Sequence, residues 1–401
     1  PPELVETITG VPKEKLYKAA EIMAEYSPMA VFWAMGITQH TTGVFNVLSL
    51  SNLQLLLGNI GIPGGGVNPL RGQNNVQGAC DMGGLPNVFP GYQPVSSAEA
   101  RQKFNHAWML DDQLENHEEL FGNKQGLTVT EMIPYAGEGK VRALYIMAEN
   151  PVMSDPDSNH TRQSLNACEF VVLQEIFPSE TAPFADVLLP GVSFAEKNGT
   201  VTNTERRIQL SRKAIEPLGQ AKPDWVIIKE LANRILEKEE RKSKGELSGW
   251  DYHSVTEIMD EIAVLTPIYA GVNYDRLNQN QQLHWPVRDD DHPGTPILHQ
   301  STFTRGKGKF FGIEHTDPQE LPDSEYPYLL TTGRVIYHWH GAEMTRRSQG
   351  LLEVYPESLV EINIEDARKI GITEENPYVR IRSRRGEIRS KAFVTERVYP
   401  G

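Results

Sequence analysis

Val141-Arg-Ala-Leu-Tyr-Ile-Met147 and Phe170-Val-Val-Leu173, with Met29-Ala-Val-Phe-Trp-Ala-Met35 well before them, are the stretches on which the architecture turns. Each is short and rich in β-branched and aromatic residues, and each runs into a polar loop bearing glycine or proline and then a helical stretch. That alternation predicts an α/β fold with a parallel sheet. Sheets of this kind bind ligands beyond the carboxyl ends of their strands. Those ends carry Gly36-Ile-Thr-Gln39, Ala148-Glu-Asn-Pro151 on to Ser154, and Gln174-Glu-Ile176. Three polar loops are therefore expected to line one crevice.

Outward from these strands the pattern changes. Pro12 opens a helix that runs to Ala24. Between about 195 and 325 the signals thin to one strong helix, Trp225–Leu236, a charged run at Glu237–Lys244 that reads as solvated surface, and long polar loops. Strands return at Tyr328–Thr332 and Val379–Ser383, with a helix around Glu365–Ile370 and two alternating strands either side of Gly386. A small β-barrel begun but not completed fits this end. The divisions expected are 1–73, 74–192, 193–325 and 326–401. The N-terminus, with no methionine and no leader-like segment, reads as internal to a longer polypeptide.

Composition narrows the function. The 401 residues carry 39 Lys and Arg against 53 Asp and Glu, a net charge of −14, which argues against nucleic acid as a partner because phosphate neutralisation needs clustered cations. Two cysteines, Cys80 and Cys168, neither staple so long a chain nor ligate an iron–sulfur cluster by themselves, and they read as inert buried thiols in a reducing compartment. No run approaches the about 20 apolar residues of a membrane-spanning helix, so no membrane insertion is expected. His338 and His340 flank Trp339; on a strand they would share a face but lack a third ligand, so no metal site is assigned to them.

The segment richest in chemistry is Gly58-Asn-Ile-Gly-Ile-Pro-Gly-Gly-Gly-Val-Asn-Pro-Leu-Arg-Gly-Gln-Asn-Asn-Val-Gln-Gly-Ala-Cys-Asp-Met-Gly-Gly84, whose charges are Arg71 and Asp81. Glycines admit close approach of backbone to a ligand, and side-chain amides offer both donors and acceptors to a heteroaromatic or phosphate-bearing cofactor. A single arginine there is a planar fixed cation able to take a carboxylate through two parallel bonds. The plainer alternative is a surface loop whose arginine pairs with a structural aspartate. Phosphate-loop and dinucleotide glycine spacings are both missing.

This segment, with Trp33-Ala-Met-Gly-Ile-Thr-Gln39, Pro90-Gly-Tyr-Gln93, Tyr145-Ile-Met-Ala-Glu-Asn-Pro151, Glu175-Ile-Phe177, Ala185-Asp-Val-Leu-Leu-Pro190, Asn198-Gly-Thr-Val-Thr-Asn203, Lys222-Pro-Asp-Trp225 and Thr331-Thr-Gly-Arg-Val-Ile-Tyr-His338, resembles the catalytic (alpha) subunit of molybdenum- or tungsten-dependent formate dehydrogenases. The resemblance runs in order along essentially the whole chain. It implies two doubly wound Rossmann-like molybdopterin-binding domains, the first partial, a region joining an iron–sulfur domain, and the start of a double-psi β-barrel. It implies two-electron oxidation of formate to carbon dioxide, or the reverse, at a bis(molybdopterin guanine dinucleotide) centre, with electrons passed to an iron–sulfur subunit. Arg71 matches the arginine that holds formate, and Gln73 a glutamine near it. Met35, Gln39, Asn150, Ser154, Gln174, Asp224, Arg334, Tyr337 and His338 match cofactor-binding positions, Asp224 as the carboxylate that reads a guanine edge. Where the family often has Asp and Thr, this chain has Asn150 and Ser154. The [4Fe–4S] cysteines and the cysteine or selenocysteine that ligates the metal are expected upstream, so these residues alone are expected to be inactive. Rivals are another molybdopterin oxidoreductase, such as a nitrate reductase, and a scaffold subunit of that fold without chemistry. The implied location is cytoplasmic.

Overall fold

The structure, a computed structural model, describes residues 1–108, 122–238 and 250–401. Most of the charged run Glu237–Lys244 lies outside them. The chain divides into two units: Pro1–Gly126 with Phe194–Glu216 and Ile228–Pro318, and Leu127–Ser193 with Pro217–Ile227 and Gln319–Gly401.

The first unit opens with α1 (Pro2–Thr9) and α2 (Lys13–Glu25), then β1 (Val31–Trp33), α3 (Met35–Thr38), α4 (Gly43–Leu56), β2 (Val67–Pro69) and α5 (Val76–Asp81). β1 and β2 are parallel, in register Val31 with Val67 through Trp33 with Pro69. They form a sheet of their own. Val31 N–H donates to the Gly66 carbonyl at 3.0 Å and Leu70 N–H to the Trp33 carbonyl at 2.8 Å, one at each end of the ladder. Two buried amides tie it to α4: Gln54 donates to the carbonyls of Met29 and Gly66, each at 2.7 Å, and accepts from Asn59 at 3.1 Å. Further on come β3 (Val88–Phe89), β4 (Gln93–Pro94) and α6 (Ala98–Ala107), whose Phe104 stacks on Phe89 at 4.6 Å. An antiparallel hairpin, β8 (Gly199–Thr202) with β9 (Ile208–Ser211), and the helix Val255–Leu265 close on a core of Ile208, Met259, Tyr269, Val272, Leu277, Leu283 and Val287.

The second unit is the α/β layer foreseen from the strands. β5 (Ala143–Met147), β6 (Phe170–Glu175) and β7 (Val187–Pro190) run parallel with β6 in the middle. Val171 and Leu173 on β6 are 1% and 0% exposed and pack with Ile133, Ile146, Val152 and Leu165, the last from the helix Ser158–Ala167. A capping box at Thr128 and Glu131 starts the covering helix Val129–Gly137. A second sheet holds β10 (Leu359–Ile362), β11 (Tyr378–Arg382) and β12 (Glu387–Val394), in the order β10-β12-β11. β12 is parallel to β10 and antiparallel to β11, and this sheet is open, with no closed barrel among the described residues.

Several expectations change. The first predicted strand does not join the other two, so the three loops do not end one sheet. Tyr328–Thr332 and the His338–His340 stretch are irregular, not strands. Leu329 and Leu330 are 68% and 63% exposed, and without a buried face an apolar run has nothing to hold it in a ladder. The Trp225 helix starts one residue earlier, spanning Asp224–Lys238, and Val255–Leu265 is a helix the apolar pattern alone did not disclose. Cys80 and Cys168 are free and half-buried instead of fully buried; burial still pushes the Cys168 thiol up, away from reactivity.

Candidate functional site

The arginine of the glycine-rich segment lies in the loop between β2 and α5. Its backbone N–H donates to Thr204 Oγ1 at 3.0 Å, which fastens the loop to the turn between β8 and β9. Its Nε–H donates to Gln77 Oε1 at 3.2 Å. Among the described residues the terminal nitrogens of Arg71 meet no carboxylate, and the side chain is exposed. The plainer alternative, an arginine paired directly with a structural aspartate, is not what is found: Arg71 reaches Asp81 only through Gln77.

Gln77 and Asp81 lie four residues apart on α5, hence on one face. Gln77 Nε2 donates to Asp81 Oδ1 at 2.9 Å and to the Tyr92 oxygen at 2.9 Å. Tyr92 donates to Asp81 Oδ1 and Tyr269 to Asp81 Oδ2, both at 2.8 Å. Tyr269 thereby spends its one hydrogen, so Thr202, 2.9 Å away, is the donor to it. Asp81 is 0% exposed, with donors on both of its carboxyl oxygens. Burial and the Asp81 charge raise both tyrosine hydroxyls far above their usual range. Arg206, stacked 5.3 Å over the Trp285 ring, is a nearby cation: burial lowers its pKa and Asp81 pulls it back up. Tyr92 sits at φ 59°, left-handed backbone that a bulky residue adopts only when its surroundings hold it there. A Cβ at Gly78 would fall 2.1 Å from Asn75 Oδ1 and displace that side chain, which accepts the Thr202 N–H at 2.9 Å.

The remaining predicted residues of this unit are simpler. Gln73 is exposed, its side chain making no hydrogen bond among the described residues and its carbonyl accepting from Val76 at 3.4 Å. Met35, half-buried, opens α3, and Gln39 caps that helix, donating its N–H to Met35 at 2.8 Å. No hydrogen bond joins these two to Arg71 or Gln73 among the described residues.

In the second unit Gln174, at the end of β6, is 1% exposed and donates through Nε2 to Asp224 Oδ1 at 2.7 Å while accepting from the Tyr145 hydroxyl. Gly191 leaves room for this pair, since a Cβ there would come 3.2 Å from Asp224 Oδ1. Asp224 itself is half-buried in the first turn of its helix. Asn150, 5% exposed after β5, accepts from Thr181 and donates to Glu180 Oε2, both at 2.8 Å. Glu180 also takes Arg346 Nη2 at 2.7 Å; burial pushes its carboxyl up, but the bonds from Arg346 and Asn150 outweigh that and hold it below the ordinary range. Burial raises Glu149 and Asp155 nearby, and Asp155 adds to the rise at Glu149. Ser154 is exposed and bonds Asp155 at 3.3 Å. Arg334 and Tyr337 are exposed, Tyr337 stacking on Tyr355 at 6.0 Å. His338 has both ring nitrogens engaged, at 3.1 Å with Thr345 Oγ1 and 2.8 Å with the Tyr355 carbonyl.

Sequence reading therefore named the outer residues and missed those that hold them: Gln77, Tyr92, Tyr269, Glu180 and Arg346. Gln77 was readable from its four-residue spacing to Asp81; Tyr269, 188 residues from Asp81, left no local signal. Among the described residues no group of His, Cys, Asp and Glu could hold a metal ion, and no helix is long and apolar enough to cross a membrane.

Comparison with known proteins adds the following. The model of the molybdopterin oxidoreductase family matches residues 13–234, and that of the molydopterin dinucleotide binding domain matches 328–401. The alpha subunit of the F420-dependent formate dehydrogenase of Methanocaldococcus jannaschii is 46% identical over 402 residues, covering 100% of this chain and 56% of the relative. Formate dehydrogenase H of Escherichia coli is 38% identical over 407 residues, covering 100% of this chain and 54% of the relative. In fold, the chain is similar to acetylene hydratase from Pelobacter acetylenicus, with a TM-score of 0.66 at 16% identity over 98% of this chain and 56% of that one. The chain thus spans a little over half the length of these relatives.

Proposed function

Because this chain belongs to the molybdopterin oxidoreductase family, we propose that it works within a formate dehydrogenase alpha subunit, holding formate and a bis(molybdopterin guanine dinucleotide) that carries molybdenum or tungsten. The observation that carries the reading is Arg71: fixed at its backbone and Nε, exposed, and with its terminal nitrogens facing no carboxylate among the described residues. A guanidinium so held offers parallel N–H groups to the two oxygens of formate, charge-assisted bonds worth about 1.5–3 kcal/mol. With both oxygens on the arginine, the C–H bond of planar formate points away from it. Gln73, exposed two residues on, adds a donor or acceptor at the same loop.

The residues fit the dinucleotide chemically. Asp224 is acceptor-only and half-buried, suited to the donor edge of guanine, and Gln174 fixes its orientation. Ser154, Arg334, Tyr337, Met35 and Gln39 present side chains at least partly exposed. Asn150 and Gln174, engaged within the protein, serve by holding Glu180 and Asp224, and His338 by ordering its loop on Tyr355. Bound, the metal centre supplies the two-electron acceptor. A [4Fe–4S] cluster and an iron–sulfur partner subunit would supply the onward electron acceptors. Under the same reading the sheets belong to doubly wound and double-psi domains divided as 1–73, 74–192, 193–325 and 326–401. The protein works in the cytoplasm, in keeping with its two free cysteines.

The test is Arg71→Lys in the full-length, cofactor-loaded enzyme. KM for formate should rise roughly 10- to 100-fold, the equivalent of the bonds lost. An unchanged KM, or turnover of nitrate in place of formate, overturns the reading.

A further inference from the structure

Arg71 is not placed by packing, since it is exposed; its direction comes from a hydrogen-bond chain that ends at a buried charge. The amide of Gln77 has two ends, and by shape alone it fits either way round. Asp81 removes the choice. A carboxylate only accepts, so the NH2 end must face it, and the carbonyl end must then face Arg71. Were the amide reversed, its NH2 would meet Arg71 Nε–H donor to donor and its oxygen would meet the Asp81 carboxylate. Tyr92, which donates to Asp81 and accepts the second amide hydrogen, closes the arrangement at 2.8 and 2.9 Å.

We propose that Gln77 is a positioning residue for substrate binding: Asp81, held by Tyr92 and Tyr269, fixes the direction of the Gln77 amide, and its Oε1 holds Arg71 Nε so that the two terminal NH2 groups face formate. This rests on the reading of Arg71 as the formate-binding group. Asp81 and the tyrosines act only through Gln77. The chain binds and orients a small carboxylate without transferring a proton or an electron.

The experiment uses the full-length loaded enzyme and two readouts: the kcat and KM of formate oxidation, and formate affinity without turnover, from the formate-dependent rise in melting temperature with no electron acceptor present. Gln77→Met keeps length and removes the acceptor. It should raise both KM and the non-turnover dissociation constant roughly tenfold, with kcat little changed, as expected for loss of one hydrogen bond to a charged group. Asp81→Asn is nearly isosteric and leaves Gln77 in place, but it lets the amide turn round; it should raise KM by a similar factor. The double variant should be no worse than Gln77→Met alone, because both changes break one chain. A merely structural role would lower the active fraction and hence kcat, leaving KM alone. The proposal falls if Asp81→Asn leaves formate affinity unmoved while Arg71→Lys moves it, or if the two changes add. If Gln77→Met does not fold, Asp81→Asn against Arg71→Lys decides alone. If Arg71→Lys moves nothing, this proposal and the formate reading fall together.

Discussion

Two glutamines of this protein do the same thing in different surroundings. Gln77 donates to Asp81 at 2.9 Å and accepts from Arg71; Gln174 donates to Asp224 at 2.7 Å and accepts from Tyr145. Both amides are nearly inaccessible, at 5% and 1% exposed. The carboxylates differ: Asp81 is fully buried with donors on both oxygens, whereas Asp224 is half-buried in the first turn of a helix. A carboxylate sealed from ligand can influence it only through the groups it orients. A half-buried one, at the start of a helix, is within reach of a ligand.

The largest test of this contrast is to delete each carboxylate. Asp81→Ala strands Gln77, Tyr92 and Tyr269, each orphan costing about 1–3 kcal/mol, so chemical denaturation should show a loss of at least about 3 kcal/mol. Asp224→Ala, half-buried, should cost about 1 kcal/mol by the same measurement. Equal losses would erase the distinction. Leu173→Ala, beside Gln174 on β6, should cost about 3 kcal/mol as a core cavity and calibrates the scale for the second unit.

Alkaline pH gives a smaller and sharper handle. Tyr269 has its folded pKa raised, so its contribution is fully present below about pH 10 and is lost above it, as the unfolded chain sheds the proton first. Stability should fall by about 1.4 kcal/mol per pH unit from this group, and Tyr269→Phe should flatten that limb. Tyr145, raised chiefly by burial, should contribute less because it is more exposed. The smallest expected effect on stability is that of Asp224→Asn, under about 1 kcal/mol because an acceptor for Gln174 remains. Under the proposed function it should nevertheless lower the guanine nucleotide released on denaturation. Full retention would remove Asp224 from the binding reading.

What was legible in the sequence follows the reach of each interaction. β5 and β6 were readable from their apolar runs, Leu144–Met147 and Phe170–Leu173, although only β6 is largely buried and β5 leaves Tyr145 and Met147 exposed. The start of the helix Val255–Leu265 carries a local signal too: Ser254 Oγ accepts the Glu257 N–H at 3.3 Å, and Glu257 Oε2 accepts the His253 N–H at 2.7 Å. Arg71 stood out as a lone cation among amides, and Asp81 as its lone counter-charge. Their connection did not, because it passes through Gln77 and depends on Tyr269 arriving from a distant stretch of chain. Tyr328–Thr332 misled in the other direction: a strand-like composition without a face to bury stays irregular.

The hydrogen bonds around Asp81 all point inward: Arg71 to Gln77 to Asp81, Tyr92 to Asp81, and Thr202 to Tyr269 to Asp81. Conduction of protons along such a chain requires that every link can reverse, each group handing on one hydrogen as it receives another. An amide cannot do this, and a carboxylate at the confluence accepts from all sides. The network is therefore an insulator. Under the proposed function, the proton that formate oxidation releases would have to leave by a route that bypasses Arg71 and its supports.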